Sequence, residues 1–119
     1  MILGIGVDVV DLARFVRAVQ RTPRLVTRLF AESERDLPAH SQAGRFAAKE
    51  ALIKALGRSD GLRWHDMEVV NDEHGNPAFR LHNQAAALTQ SMGIGAVHLS
   101  ITHDAGVACA FVVVEAAST

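Results

Sequence analysis

The chain of 119 residues is long enough for one domain with its own hydrophobic core, and its formal net charge is −1. This charge argues against a general polyanion binder, and a chain with five Phe, one Trp and no Tyr has few rings for stacking single-stranded nucleic acid. We therefore expect a single domain over residues 1–119 with no nucleic-acid partner. The single cysteine, Cys109, excludes an intramolecular disulfide and is expected to be a small buried hydrophobe.

The uncharged stretches of the chain predict neither a signal peptide nor a membrane span. The apolar start over residues 1–7 has no cationic leader and ends at Asp8. Residues 81–103 lack Asp, Glu, Lys and Arg, but Gln, Ser, Thr, Asn and Gly occur along their whole length. We therefore expect a soluble, cytoplasmic protein with no membrane partner.

The chain begins with a near-continuous apolar run over residues 1–10, which predicts a buried β-strand. Asp8 interrupts this run, and a carboxylate buried there needs a hydrogen-bonding partner or a cation. Asp8 could simply mark the wet end of the strand or cap a helix. Asp11 is the better cap, because the periodic apolar residues of a helix begin directly after it. We therefore interpret Asp8 as a functional residue.

Residues 12–20 and 23–30 are predicted to form two short helices, the second with Thr22 as its N-cap and Pro23 at its first position. No acidic residue lies between Asp11 and Glu32. Such a basic face could be an ordinary solvated surface, but the absence of interleaved acids favours an acidic partner protein. The arginine ridge consists of Arg14, Arg17, Arg21, Arg24 and Arg28.

After one or two helical turns within residues 31–37 and a polar lead, a long central helix is predicted over residues 43–56. Gly57 follows its last apolar residue, where helices often end. Glu50 and Lys54 lie one turn apart on the same face, because a helix turns by about 100° per residue. The residues expected to pack inward are Ala48, Leu52, Ala55 and Leu56.

The lysines of the chain distinguish the Glu50–Lys54 pair from an ordinary surface pair. Ten of the twelve cationic residues are Arg, and both lysines, Lys49 and Lys54, lie within this helix. A compact ammonium rather than a planar guanidinium is therefore indicated at these positions. Lys49 is expected to make a structural or secondary contact, because it points about 100° away from Glu50.

The second half of the chain is predicted to fold as two β-hairpins separated by a helix. After a loop over residues 58–62, the predicted elements are strands 64–71 and 78–81, a helix over 83–92 with Asn83 as its cap, and strands 97–102 and 107–115. Hairpins require antiparallel pairing, and helices are interspersed among the strands. The predicted class is therefore α+β, with an antiparallel sheet packed against a long central helix and shorter helices.

Two carboxylates from separate elements, Asp8 and Glu50, suit a hard cation such as Mg²⁺ that keeps most of its waters. Lys54, one turn from Glu50, would suit a phosphate that bridges to the metal. The six histidines show no metal-ligand spacing such as HxxxH, so no zinc site is predicted. His98 falls within a strand and is expected to be a satisfied core or interface residue.

Three motifs carry a resemblance to a known family. They are Gly6-Val7-Asp8, Phe46-Ala47-Ala48-Lys49-Glu50-Ala51-Leu52-Ile53-Lys54 and Ser100-Ile101-Thr102-His103. In this order they resemble the holo-[acyl-carrier-protein] synthases, the short bacterial class of 4′-phosphopantetheinyl transferases. The nine-residue motif is specific, and the resemblance spans almost the whole chain.

The resemblance implies an enzyme that moves the 4′-phosphopantetheine group of coenzyme A onto a serine of an acyl carrier protein, as fatty acid biosynthesis requires. It also implies a need for Mg²⁺, the release of adenosine 3′,5′-bisphosphate, and a homotrimer with active sites between subunits. Asp8 and Glu50 match the metal ligands, and Lys54 matches the phosphate-binding catalytic lysine. His103 and Arg45 match the neighbourhood of the coenzyme A phosphates. The arginine ridge matches the surface that docks the carrier.

The chemistry of phosphoryl transfer agrees with these positions, because it depends mostly on positioning and charge neutralisation. Glu50, acting directly or through a water, is the expected base for the carrier serine.

Two features depart from the family pattern. The segment over residues 34–45 is short and offers few basic residues, and Asn76 stands in a turn where the family often has lysine. The nucleotide end of coenzyme A would then be held either more weakly or by another cation, such as Arg45 or Arg80.

Two other functions fit part of the sequence. A small adaptor that binds an acidic protein or RNA would explain the arginine ridge but not Asp8, Glu50 and Lys54. A Mg²⁺-dependent phosphohydrolase acting on nucleotides would share the same metal site.

Overall fold

The computed structural model describes residues 1–118. Its elements in chain order are β1 (Ile2–Asp11), α1 (Leu12–Arg21), α2 (Leu25–Leu29), α3 (Ala39–Leu56), β2 (Met67–Asn71), β3 (Pro77–Leu81), α4 (Asn83–Ser91), β4 (Ile94–Asp104) and β5 (Val107–Ala116). Single 3₁₀ turns at Glu32–Glu34 and Trp64–Asp66 precede α3 and β2, respectively. Within residues 1–118, no helix combines the length and apolar composition needed to cross a bilayer.

The larger sheet is antiparallel, with β5 in the centre between β1 and β4. The β4–β5 hairpin is closed by Ala105 and Gly106, with φ of 53° and 77°. Positive φ at both central residues is the geometry of the type I′ turn that matches strand twist. Strands β2 and β3 form a separate antiparallel hairpin. The predicted α+β class, with antiparallel pairing and a long helix against the sheet, is confirmed.

Helix α3 packs its apolar stripe against the inner face of the larger sheet. The residues predicted to point inward are confirmed as buried, with exposed fractions of 0% for Ala48 and Leu52, 6% for Ala55 and 5% for Leu56. Most of the helix residues in this contact are alanines, so the helix axis can approach the strands closely. The strand residues beneath them include Ala108, Ala110, Val112 and Val114, all buried.

The closest approach is between α3 and the first half of β1. A Cβ built at Gly4 would lie 2.0 Å from the Ala55 carbonyl oxygen, and one built at Gly6 would lie 1.9 Å from the Ala51 carbonyl oxygen. No side chain fits in that space, so glycine at both positions lets the strand backbone rest directly on the helix. The next residue on the same face of β1 is Asp8.

The outer face of the sheet, which points away from α3, corrects the prediction that β1 is buried on both sides. Its apolar residues Ile5, Val7 and Val9 are 60%, 51% and 59% exposed, and Phe111 on β5 is 46% exposed. Cys109, predicted to be buried, lies only half-buried on this face opposite Val9. The apolar pattern of β1 is therefore only half satisfied within one chain.

His98 also lies on the exposed side of β4, so of the two predicted positions, core or interface, the core position was wrong and the interface position stays a prediction. Its Nε2 lies 3.1 Å from Oε1 of Glu115 on β5, with both side chains largely exposed. This contact lowers the pKa of the Glu115 carboxyl. His98 is thus satisfied by a surface partner at the edge of the outer face.

Asp11 caps α1 as predicted, because its Oδ1 accepts a hydrogen bond of 2.9 Å from the backbone N–H of Arg14. Helix α2 begins at Leu25, two residues later than predicted, after a turn at residues 23–24. Helix α3 begins at Ala39, four residues earlier than predicted. The buried side chain of Gln42 donates to the carbonyls of residues 34 and 35, which ties the polar first turn to the preceding segment.

In the second half of the chain, the start of β2 and the N-cap of α4 also differ from the predicted positions. Trp64–Asp66 is a 3₁₀ turn rather than the start of a strand. The predicted cap Asn83 lies inside α4 with φ of 48°, and His82 takes the N-cap position. The Asn83 side chain instead donates 3.0 Å to Oδ1 of the buried Asp66. A tertiary contact thus replaces the local capping bond that the sequence suggested.

Candidate active site

Asp8 and Lys54 meet where β1 lies against the C-terminal half of α3. Lys54 Nζ donates to Asp8 Oδ1 at 3.1 Å and to the Val7 carbonyl oxygen at 3.0 Å. The Asp8 side chain is 17% exposed and that of Lys54 54% exposed. The backbone contact at Gly6 fixes the strand against the helix, so it also fixes where the Asp8 carboxylate can reach.

Glu50 lies one turn before Lys54 on α3 and belongs to the same cluster. Burial raises the pKa of its carboxyl, the Asp8 charge raises it further, and the Lys54 ammonium lowers it. These three charges therefore act on one another within a single chain. We call Asp8, Glu50 and Lys54 the acid–lysine cluster.

The donor set of this cluster fits a magnesium ion. Within residues 1–118 no group of three or more His, Cys, Asp and Glu side chains could enclose a metal ion. Two carboxylates from different elements are instead the usual protein share of an octahedral Mg²⁺ site, in which waters and substrate phosphates complete the shell. A cation between the carboxylates would also offset the Asp8 repulsion, which adds to burial in raising the pKa of Glu50.

His103 and Arg45 line a second site, a polar cavity of about 290 Å³ that we call the basic cavity. His103 Nε2 lies 2.9 Å from the His40 carbonyl oxygen, and a carbonyl only accepts, so Nε2 carries the proton. A Cβ at Gly44 would lie 2.9 Å from this nitrogen, so the imidazole packs directly on the backbone of α3. The other residues lining the basic cavity are His40, Ser41, Gly44, Asn71, Gly75, Pro77 and Ile101.

Within one chain, the two sites do not share a cavity. Asp8 lines a different, largely apolar cavity of about 470 Å³ between the end of β1, α1, α2 and Phe46 in the middle of α3. No residue lines both this cavity and the basic cavity. The structure therefore brings Asp8, Glu50 and Lys54 together, but it places Arg45 and His103 elsewhere on the subunit.

All five residues of the arginine ridge are exposed, and none forms an ion pair with another residue of the 1–118 range. Arg14 and Arg28 also line the cavity beside Asp8. The ridge thus carries guanidinium groups without ion-pair partners in that range, and two of them lie beside Asp8, which suits an anionic partner surface.

The turn that departs from the family pattern is closed by its own side chains. Asn76 donates from its backbone N–H to Asp72 Oδ1 at 2.9 Å and from its side chain to Asp72 Oδ2 at 3.2 Å. Of the two arginines considered as substitutes for a lysine there, Arg45 lines the basic cavity. Arg80 lies on β3 instead, 3.8 Å from Glu68.

Lys49 has the structural role that its position predicted. It is fully buried, and burial lowers the pKa of its ammonium while the carboxylate of Glu34 opposes that shift. Its Nζ lies 2.6 Å from Glu34 Oε1. Sequence reasoning missed Glu34 as the partner, although an inward-pointing lysine demands a buried acid somewhere in the fold.

Comparison with known proteins shows the family of the chain. Residues 4–112 match the family model of the 4′-phosphopantetheinyl transferase superfamily. The holo-[acyl-carrier-protein] synthase of Leifsonia xyli is 64% identical over 97% of this chain and 98% of its own length.

Solved structures share the fold at lower identity. The holo-[acyl-carrier-protein] synthase of Neisseria meningitidis superposes with a TM-score of 0.88 at 32% identity, covering 97% of this chain and 99% of that one. The Helicobacter pylori enzyme of the same name, in complex with coenzyme A, gives a TM-score of 0.82 at 34% identity and covers 93% and 99%. The chain therefore belongs to the 4′-phosphopantetheinyl transferase superfamily, within its holo-[acyl-carrier-protein] synthase branch.

Proposed function

We propose that residues 1–119 form one domain that transfers the 4′-phosphopantetheine group of coenzyme A to a serine of an acyl carrier protein. The product would be the holo carrier used in fatty acid biosynthesis, and adenosine 3′,5′-bisphosphate would be released. The observation that carries this proposal is the acid–lysine cluster, in which Lys54 lies 3.1 Å from Asp8 and Glu50 is close enough for their charges to interact. The names of the relatives and the coenzyme A bound to the Helicobacter pylori enzyme support the choice of substrates.

Asp8 and Glu50 are the residues that would hold Mg²⁺. When bound, the ion supplies charge neutralisation for the diphosphate of coenzyme A. The Lys54 ammonium lies beside the Asp8 carboxylate and would stabilise negative charge on the phosphoryl group or on the departing bisphosphate.

Glu50 would act as the base. Its carboxylate lies one helical turn before Lys54 and would accept the proton of the carrier serine directly or through a water. The serine Oγ of the carrier bonds to the phosphorus that carries pantetheine as its proton passes to Glu50. The bond between that phosphorus and the bridging anhydride oxygen breaks, and the bisphosphate leaves with the electron pair.

Arg45 and His103 would hold the nucleotide end of coenzyme A in the basic cavity. A guanidinium and an imidazole suit the 3′-phosphate and the diphosphate of the nucleotide. Because the basic cavity and the acid–lysine cluster are separate within one chain, one coenzyme A molecule would reach both only at a boundary between two subunits.

A homotrimer with sites between subunits would satisfy this requirement. The outer face of the sheet supports it, because Ile5, Val7, Val9 and Phe111 form an apolar surface that one chain leaves open. Light scattering should give the mass of three chains. Replacing Phe111 by Asp should yield monomers with little transferase activity, whereas a monomeric wild-type protein with full activity would exclude shared sites.

The arginine ridge would dock the carrier. Its five guanidinium groups are exposed, Arg14 and Arg28 line the cavity beside Asp8, and acidic carrier helices would complement their charge. A protein with these substrates would work in the cytoplasm, where coenzyme A and the carrier are available.

The deciding experiment incubates the protein with coenzyme A, Mg²⁺ and an apo carrier, followed by mass spectrometry of the carrier. A mass gain of one phosphopantetheine is expected. Coenzyme A breakdown without carrier would indicate a phosphohydrolase instead. The absence of any reaction would indicate a binding protein without enzymatic activity. Replacing Glu50 by Gln should lower turnover by about 10²-fold or more while the fold is kept, since a general base contributes on that order.

A further inference from the structure

Glu34 is a buried carboxylate that the proposed reaction does not use. Its exposed fraction is 0%. Oε1 accepts from the Ala31 backbone N–H at 2.9 Å and from Lys49 Nζ at 2.6 Å. Oε2 accepts from the Val69 backbone N–H at 3.1 Å and lies 3.6 Å from Arg45 Nε. A buried charge held by four partners from three segments, residue 31, α3 and β2, has one orientation available to it.

The ammonium of Lys49 is also fully hydrogen-bonded. Its other two short contacts go to the carbonyl oxygens of Leu29 at 2.8 Å and Trp64 at 3.3 Å, and its Nζ lies 5.0 Å from the centre of the Phe30 ring. The three protons of the ammonium are thereby used. Lys49 therefore has no free donor for a substrate, and its role is to neutralise Glu34 and hold it in place.

Of the four partners of Glu34 named above, Arg45 is the one that lines the basic cavity. Its Nε donates to the Val69 carbonyl oxygen at 3.3 Å and faces Glu34 on the same side. Its terminal nitrogens make no hydrogen bond within residues 1–118, and no buried side-chain nitrogen or oxygen in that range lacks a partner. These nitrogens therefore open onto the basic cavity. Because the guanidinium is planar, fixing Nε also fixes the direction in which they point.

We propose that Glu34 is a positioning residue for the transferase. Its carboxylate lies 3.6 Å from Arg45 Nε, and it also accepts from the N–H of Val69, whose carbonyl oxygen accepts the Nε–H of Arg45. Together these contacts orient Arg45 so that both terminal nitrogens face the anionic nucleotide. This inference rests on the proposed function, in which Arg45 binds a coenzyme A phosphate. Glu34 itself never touches the substrate. It orders the Arg45 side chain before the nucleotide binds, and this reduces the conformational entropy that binding costs.

The first test measures the affinity of the full-length protein for adenosine 3′,5′-bisphosphate by calorimetry. Glu34→Gln keeps the shape of the side chain but removes its charge, and it should weaken bisphosphate binding about tenfold. The KM for the carrier should stay unchanged. The matched control is Glu68→Gln, because Glu68 is also buried and hydrogen-bonded to Ser33 and His82 but does not contact Arg45. That variant should bind the bisphosphate as the wild type does.

A double-mutant cycle separates positioning from general loss of structure. Arg45→Ala should weaken bisphosphate binding, and adding Glu34→Gln to it should cause no further loss. Independent, additive losses would overturn the positioning role. If Arg45→Ala binds normally, the assignment of Arg45 itself fails, and this inference fails with it. If Arg45→Ala is weakened but Glu34→Gln binds within twofold of the wild type, only the role of Glu34 is refuted.

Removing the charge of Glu34 leaves Lys49 buried without its counterion, which could prevent folding. The variant Glu34→Gln/Lys49→Met removes both charges together and should fold while binding the bisphosphate about tenfold more weakly, for the same reason as the single variant. A measurement on the unaltered protein needs no substitution. The Nε–H of Arg45 should exchange slowly with solvent by NMR, and rapid exchange would refute a fixed guanidinium.

Discussion

Gly6 is the residue on which the placement of Asp8 depends most directly. Replacing it by Ala would put a Cβ 1.9 Å from the Ala51 carbonyl oxygen and 2.8 Å from the Ala55 nitrogen. Both obstructing atoms belong to the helix backbone, which cannot rotate away as a side chain would. The strand must therefore move back from α3, and Asp8 moves with it because it is the next residue on the same face.

The size of the effect follows from the geometry. Ordinary van der Waals contact begins at 3.4 Å, so the strand has to retreat by roughly 1.5 Å. Forcing extra volume into a packed core costs about 1–3 kcal/mol, and a clash with backbone belongs at the upper end. A loss of about 3 kcal/mol lowers the Tm of a domain of this size by roughly 12 °C. The same shift would break the 3.1 Å contact between Asp8 and Lys54, and a displacement of about 1 Å at a reacting group can cost about 10²-fold in rate.

The assay combines thermal unfolding with carrier modification followed by mass spectrometry. The matched control is Gly93→Ala, because Gly93 has φ of +73° but no atom within 4 Å of a built Cβ. That variant should lose only the roughly 1–2 kcal/mol of a left-handed alanine and keep its activity. A Gly6→Ala protein that melts within a few degrees of wild type and transfers at a comparable rate would show that this strand–helix contact does not place Asp8.

Three further outcomes are expected. The hydrogen bond from Ser33 is the largest factor that lowers the pKa of Glu68 below its ordinary 4.5. The ionised Glu68 carboxylate therefore stabilises the folded protein above pH 4.5, and this stabilisation is lost as the pH falls through the depressed pKa. The gap in urea stability between wild type and Glu68→Gln should thus be wide at neutral pH and close in strong acid; a gap independent of pH would contradict this. Charge reversal at Arg14 and Arg21 should raise the carrier KM and weaken its salt dependence without changing the KM for coenzyme A, and an unchanged carrier KM would exclude docking on the ridge. Mg²⁺ should raise the Tm of the wild type but not of Asp8→Asn, because a ligand that binds only the folded state stabilises it; equal shifts would place the ion elsewhere.

Local patterns predicted the elements whose stability is local. The cap at Asp11, the inward stripe of α3 and the β4–β5 hairpin each depend on residues close together in sequence, and each is confirmed. The residues of the acid–lysine cluster could also be predicted from the sequence. Asp8 was conspicuous as a charge in an apolar strand, and Glu50 and Lys54 share a helix face.

The parts that sequence reasoning missed depend on packing between distant segments. Nothing near Glu34 in the sequence indicates that it meets Lys49 and Arg45 inside the fold. Trp64 begins a stretch that was predicted as a strand, but its carbonyl oxygen accepts a hydrogen bond from the buried ammonium of Lys49. The open outer face of β1 was missed because an apolar run cannot distinguish burial within one chain from burial against another copy.

The pairing of β1 with β5 has a consequence for how the protein comes to be folded. Strand β1 holds Asp8, yet its backbone partner is the last strand, and even the Met1 carbonyl accepts a hydrogen bond of 2.8 Å from Ala116. Contacts so far apart along the chain form slowly, because a long loop must close before they stabilise anything. A nascent chain emerging from the ribosome therefore lacks the β5 partner of its first strand until residues 107–116 have been synthesised. The strand that holds Asp8 is paired only in chains that include β5, so chains truncated before residue 107 should carry no transferase activity.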